Sequence, residues 1–314
     1  MSLRDIKTKI RSIDRTRKVT KAMETVSAVK MRKAQVRALT GRPYARAALS
    51  ILERLSPSLK FVNHPLTITR SITRIALVVV TSDKGLCGIL NSAVLREAER
   101  VISSIQLPVS SFQIYAFGRK ASEYFARRGY PLKAKFENVS DNVSLADLDE
   151  VARDVVRSFE AGEVDTAIVV YSNFKSTFEQ EAVSHTLLPL SIEQFRAIVA
   201  GIVPTKGSFG LPGGDASRSE ASPLAPPAFY TVEPSGEEVL SVLLPRLASV
   251  YLYHMLLEGK ASEHSARMIA MKNASDKSRD LSKALTRLFN KTRQAVITRE
   301  VSEIVGGIEA MAIK

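Results

Sequence analysis

Tryptophan is absent from these 314 residues, cysteine occurs once, histidine four times, and aromatic residues make up only 6%. The single Cys87 excludes an internal disulfide and fits a reducing compartment. His64, His185, His254 and His264 are scattered, and the last two fall ten apart on one expected helix, the wrong spacing for a shared metal. No stretch approaches about 18 apolar residues, so no membrane span is expected. Arg4, Asp5 and Lys7 stand where a signal peptide would turn apolar. The chain is therefore expected in the cytoplasm.

Helix breakers are missing from both ends. No glycine or proline precedes Gly41, and no proline follows Pro245. The tract from Ser262 to Lys314 is rich in Ala, Leu, Lys, Arg and Glu, the composition of one long helix. A helix from about residue 237 to the end would span on the order of 110 Å, too long to hide in a compact domain. Ile297, Val301, Ile304, Ile308 and Met311 step by 4, 3, 4 and 3, the spacing of a seam buried against a partner helix. At the other terminus Leu3, Ile6, Ile10 and Ile13 step by 3, 4 and 3, and Val19, Met23 and Val26 resume the pattern after a shift. Both stripes are narrow, which predicts that the two ends pair as an antiparallel coiled coil. The alternative is that each helix docks separately on the middle of the chain.

Negative charge is scarce in one place only. Residues 1–56 carry 15 Lys and Arg against 4 Asp and Glu, a net of +11 out of the whole chain's +13. A basic helix points to nucleic acid, an anionic membrane face or an acidic protein partner. It lacks the interleaved aromatics of a nucleic-acid track, and its apolar stripe calls for a protein.

Between the helices the pattern changes. Residues 75–81 (IALVVVT) form a continuous apolar, β-branched run, expected as a strand buried on both faces. Further strands are expected at 112–117 and 166–171 and near 183–190, with helices from about 89, over 119–128 and over 145–160. This alternation at parallel-sheet spacing predicts a Rossmann-like α/β layer structure. Residues 201–227, rich in Gly, Pro and Ser, read as a flexible insertion. Ser235, with Glu238 three residues on, is the expected cap of the closing helix. The expected domains are residues 1–56, 57–234 and 235–314.

The chemistry-bearing motifs are few. Ser82-Asp83-Lys84-Gly85-Leu86-Cys87-Gly88 follows a buried strand and opens a helix, where an anion can sit. It matches neither GxGxxG nor GxxxxGK[ST], so a tight turn is the expected role. Cys87 has no His or acid spaced to activate it, and a structural cysteine is expected.

Several segments together resemble the gamma subunit of F-type ATP synthase. They are Val19-Thr20-Lys21-Ala22-Met23 with Lys30-Met31-Arg32-Lys33, and the SDKGLCG loop with Asn91. In the closing helix they are Ala261-Ser262-Glu263, Arg267-Met268, Ala270-Met271, Asn290, Arg293-Gln294, Ile297-Thr298, Glu300 and Glu303-Ile304-Val305-Gly306. The resemblance implies a rotor shaft without catalytic, cofactor or metal residues of its own. Its implied partners are three alpha and three beta subunits, the epsilon subunit and the ring of c subunits. The membrane, the bacterial plasma membrane seen from the cytoplasm, is reached only through that ring. Arg17, Lys18, Lys21 and Met23 match the segment facing an acidic lever of a beta subunit. Arg267, Arg293, Gln294, Thr298 and Glu300 match positions that contact the catalytic ring or couple the two helices. Tyr230 and Glu233 match the foot facing the c ring, and Ile308, Met311 and Ile313 the apolar tip. The chain departs from the family pattern at Lys277-Ser278 and Gly307-Ile308, and its insertion lacks the cysteine pair of the chloroplast branch. A non-rotary coiled-coil scaffold and a basic nucleic-acid-binding protein are the competing readings.

Overall fold

The computed structural model describes residues 2–40, 47, 51, 64–139, 145–191, 193 and 235–312. The expected extension of the first helix beyond residue 40, the insertion at 201–227, Tyr230, Glu233 and Ile313 lie outside the described residues. The chain divides into two compact units. One joins Met1–Ala28 to Arg267–Lys314, and the other is Val29–Ala266.

In the α/β unit five strands are ordered β3-β2-β1-β4-β5. They are β1 (Ile75–Val80), β2 (Phe112–Phe117), β3 (Leu132–Phe136), β4 (Thr166–Phe174) and β5 (Gln180–Leu188). β1 runs parallel to both β2 and β4, β2 runs parallel to β3, and β5 is antiparallel to β4. Every residue of β1 is buried, as its unbroken apolar run predicts. Ala76, Val78 and Val80 face one core, shared with α4 (Leu145–Glu160) and the start of α5 (Gly236–Ala312). Ile75, Leu77 and Val79 face the other, shared with α2 (Leu90–Ile105) and α3 (Arg119–Arg127). Period-two alternation thus places helices on both faces.

Two details depart from the sequence reading. β3 was not expected, because its segment LKAKF alternates half-buried and exposed on an edge and carries little apolar signal. The strand near 183–190 starts earlier, at Gln180, and closes an antiparallel hairpin rather than another parallel unit.

α1 (Leu3–Thr40) and α5 begin with the same device. Ser2 Oγ accepts from Asp5 N at 3.2 Å while Ser2 N donates to the Asp5 carboxylate at 3.0 Å. Ser235 Oγ accepts from Glu238 N at 3.2 Å. Each is the capping pair that satisfies orphan amides of a first turn. α5 then runs 77 residues, carrying Pro245 within it. Part of it is apolar enough, by length and composition alone, to cross a membrane. Here those apolar residues, among them Leu240, Leu244, Leu247, Leu252 and Met255, are core of the α/β unit.

The other unit is a helix pair. Leu3, Ile6, Ile10, Ile13, Arg17, Thr20, Glu24 and Ser27 form a buried or half-buried stripe along α1, stepping by 3 and 4, with Asp14, Met23 and Ala28 half-buried beside it. On α5 the matching stripe is Met271, Ser275, Ser278, Ser282, Leu285, Phe289, Thr292 and Val296. Ser282 Oγ donates to the Asp14 carboxylate at 3.0 Å across the pair. The pairing is antiparallel. A parallel pair would lay the rest of α1, past Ala28, over Ile297–Ile308, and those residues are exposed.

Two sequence expectations are thereby corrected. Past Ile13 the main α1 stripe keeps register through hydroxyl and charged residues, leaving Val19 59% and Val26 54% exposed, while Met23 is half-buried. Ile297, Val301, Ile304 and Ile308 are not a seam against α1, since all four are about half exposed or more. The buried stripe of α5 lies upstream, where small hydroxyl residues hide its periodicity from a hydrophobic count.

Candidate functional site: a closed crevice and an exposed helix surface

A doubly wound sheet takes its ligand outside the carboxyl ends of the strands, where the strand order reverses. Here that point lies between β1 and β4, and α5 covers it. A Cβ placed on Gly259 would stand 3.0 Å from the Val80 side chain at the end of β1. One turn on, Ser262 Oγ donates to the Ser172 carbonyl of β4 at 2.8 Å.

The SDKGLCG loop closes on itself. Ser82 N donates to Asn91 Oδ1 at 3.0 Å, Ser82 Oγ to the Lys84 carbonyl at 2.7 Å, and Asn91 Nδ2 to Cys87 Sγ at 3.2 Å. Cys87 is buried. Asn91 therefore acts as the staple of a tight turn, which holds Leu86 at φ 65° and Gly88 at φ 61°. Beside it Gly118, at φ +86°, lets the start of α3 approach β1, since a Cβ there would meet the Thr81 carbonyl at 2.3 Å.

The histidines serve separate local roles. His64 Nδ1 accepts from Leu66 N at 3.2 Å, and burial, opposed by Glu160 and Glu237, holds its pKa below the ordinary value. His254 Nε2 lies 3.0 Å from Glu258. His185 faces the Tyr171 ring, and its pKa is lowered by burial, against the pull of Glu258. Tyr171 is pushed well up by burial and then by Glu258. Among the described residues no group of three or more His, Cys, Asp or Glu is placed to hold a metal.

The candidate residues of the helix pair divide between its outside and its partly covered positions, where Arg17 is half-buried. Lys18 and Lys21 are exposed and Met23 half-buried. Arg17 lies 3.9 Å from Asp14, and Lys21 is 3.0 Å from Glu24. The sequence reading missed Glu24 and Asp14, which temper the positive face at i,i+3 spacing. On α5, Arg293, Gln294, Thr298, Glu300 and Ile308 are exposed, whereas Arg267 is only 8% exposed. Arg267 is thus separated from the others: it lies inside the fold. The side chain of Met311 is outside the described residues. The exposed valines of α1 and the stripe Ile297–Ile308 leave apolar surface that neither helix covers for the other.

Fold and site together define a protein of two long terminal helices and a doubly wound domain whose switch point its own helix covers. The family model described as ATP synthase matches residues 2–311. The ATP synthase gamma chain of Heliobacterium modesticaldum is 37% identical over 309 residues, covering 98% of this chain and 99% of that one. That of Pelotomaculum thermopropionicum is 37% identical over 310 residues, covering 99% of each. This chain belongs to the ATP synthase gamma chain family. Among solved structures, a chain of the Tetrahymena thermophila mitochondrial ATP synthase central stalk and c-ring is similar at TM-score 0.55 and 28% identity. It matches over 82% of this chain and 99% of its own length. A chain of the Euglena gracilis mitochondrial ATP synthase shares the fold at TM-score 0.61 and 17% identity, over 98% of this chain and 94% of its own.

Proposed function

We propose that this chain is the central rotor shaft of an F-type ATP synthase, coupling ion-driven rotation of a c ring to ATP synthesis and hydrolysis. The chemistry takes place in a ring of three alpha and three beta subunits, and this chain supplies no catalytic group. The observation that carries the reading is the surface of the helix pair in a member of this family. It bears exposed cations on α1 and an exposed apolar stripe on α5, on helices that already satisfy each other.

A shaft must be guided without being trapped. Exposed ion pairs contribute about 0–1 kcal/mol each, so Arg17, Lys18 and Lys21 steer an acidic lever of a beta subunit past Met23 without a deep well. Arg293, Gln294, Thr298 and Glu300 contact the catalytic ring, and buried Arg267 couples the helices. Ile308, Met311 and Ile313 turn in an apolar sleeve at the tip. Tyr230 and Glu233 meet the c ring, with the epsilon subunit beside them. Association with the cytoplasmic face of a bacterial plasma membrane is then indirect.

The test is ATP hydrolysis by matching alpha and beta subunits, with and without this chain, alongside the native mass of the mixture. One copy assembled with three of each, and faster turnover, is the expected result. No complex and unchanged turnover would sink the rotor reading and leave a scaffold.

A further inference from the structure

The β4–β5 hairpin outruns the sheet that carries it. Pairing of β4 with β1 ends at Val170 opposite Val79, whereas pairing with β5 continues from Tyr171–Val183 to Phe174–Gln180. Residues 171–183 therefore project as a two-stranded ribbon, an arrangement only marginally stable in water by itself. α5 holds it by hydrogen bonds at two levels. At the base of the ribbon burial, helped by Glu258, which lies 3.0 Å from His254 Nε2, pushes the Tyr171 hydroxyl up. Ser262 Oγ donates to the Ser172 carbonyl at 2.8 Å, and Ser265 Oγ to the Thr177 carbonyl at 2.6 Å. Gln180 Nε2 also reaches Ser265 Oγ at 3.4 Å. Glu258, Ser262 and Ser265 step by 4 and 3, so they form one face of the helix. Ser262 and Ser265 are wholly buried there. The tip is itself pinned, with Glu179 N donating to Ser176 Oγ at 3.1 Å.

The choice of hydroxyls is informative. Apolar packing is non-directional and lets a helix roll or slide against its support. A hydrogen bond to a fixed backbone carbonyl weakens steeply once it is misaligned. Gly259, one residue from Glu258, brings the helix axis close enough to Val80 for these short side chains to reach.

We propose that the β4–β5 ribbon is a splint through which the α/β domain grips α5 and transmits torque to it. Ser262 and Ser265 are its positioning residues. This rests on the rotor reading and adds the residues that keep domain and helix from turning independently.

The experiment uses the complex of this chain with matching alpha and beta subunits. A bead is attached through Ser103→Cys, at an exposed site on α2, and native Cys87 is buried. Angular fluctuation of the bead during catalytic pauses is compared between the parent and Ser262→Ala/Ser265→Ala. The double variant removes both levels of hydroxyl contact. The expected result is an angular variance about twofold larger with an unchanged rate of ATP hydrolysis. Ser265→Ala alone, the milder change, should give a smaller rise in the same direction. Unchanged variance in either assembled variant overturns the splint. A parent complex that assembles but does not rotate overturns the rotor reading instead, and the splint with it.

Discussion

The carboxylate of Asp165 ties the start of β4 to the start of β1. One oxygen accepts from Thr73 N at 2.8 Å, Thr73 Oγ1 at 2.6 Å and Arg74 N at 2.9 Å. The backbone returns the contact, with Asp165 N donating to the Arg74 carbonyl at 2.8 Å. Replacing Asp165 by Ala removes three charge-assisted bonds, each worth about 1.5–3 kcal/mol in a buried setting. Thr73 and Arg74 are exposed, so their freed donors regain water and the sum is too large. A net loss of roughly 2–3 kcal/mol is expected. For a domain of this size each kcal/mol moves the melting temperature by about 2–4 °C, so a fall of about 4–12 °C follows. Asp165→Asn keeps an acceptor but loses the charge, and should fall between parent and Ala. The pH dependence has a definite sign. Burial alone would raise the Asp165 pKa, but the bonds from Thr73 and Arg74 outweigh it and hold it below the ordinary value. The unfolded chain then binds the proton more readily than the folded one. The stabilisation is whole above the unfolded pKa of about 4 and is lost as pH falls through the lower folded value. Thermal melts of parent and Asp165→Asn across the acid range check this. A gap between them that stays constant from neutrality into strong acid, or an Ala variant that melts with the parent, would refute the reasoning.

Two further outcomes are expected. Cys87→Ala should cost about 1–2 kcal/mol, because it strips a partner from Asn91 inside the loop, yet leave ATP turnover of the assembled complex unchanged. Lost turnover at parental melting temperature would restore the thiol as a functional group. Met23→Lys puts a cation at a half-buried position of α1, and should lower ions moved per ATP hydrolysed about twofold, given the small energy of exposed pairs. An unchanged ratio in sealed vesicles would count against the placement of the lever.

What the sequence by itself determined was whatever local spacing and side-chain chemistry can encode. The apolar run at 75–80 became a strand buried on both faces, because no polar residue marks an outer side. Leu3, Ile6, Ile10 and Ile13 announced the α1 seam, and Ser235 with Glu238 announced where α5 begins. The cation-rich character of α1 was also legible, since charge belongs to single residues. Tertiary structure alone decided which stripes are covered. Val19, Val26 and Ile297–Ile308 are as apolar as any seam, but burial depends on where the partner helix lies. The covered stripe is built instead from Thr20, Ser27, Ser275, Ser278 and Ser282, small enough for close approach and able to bond across it, as Ser282 does to Asp14. The fate of the crevice was decided in the same way. Its closure depends on Gly259 and Ser262 of α5 meeting Val80 and Ser172, residues 90 or more positions away in the chain, and no local pattern records such a meeting.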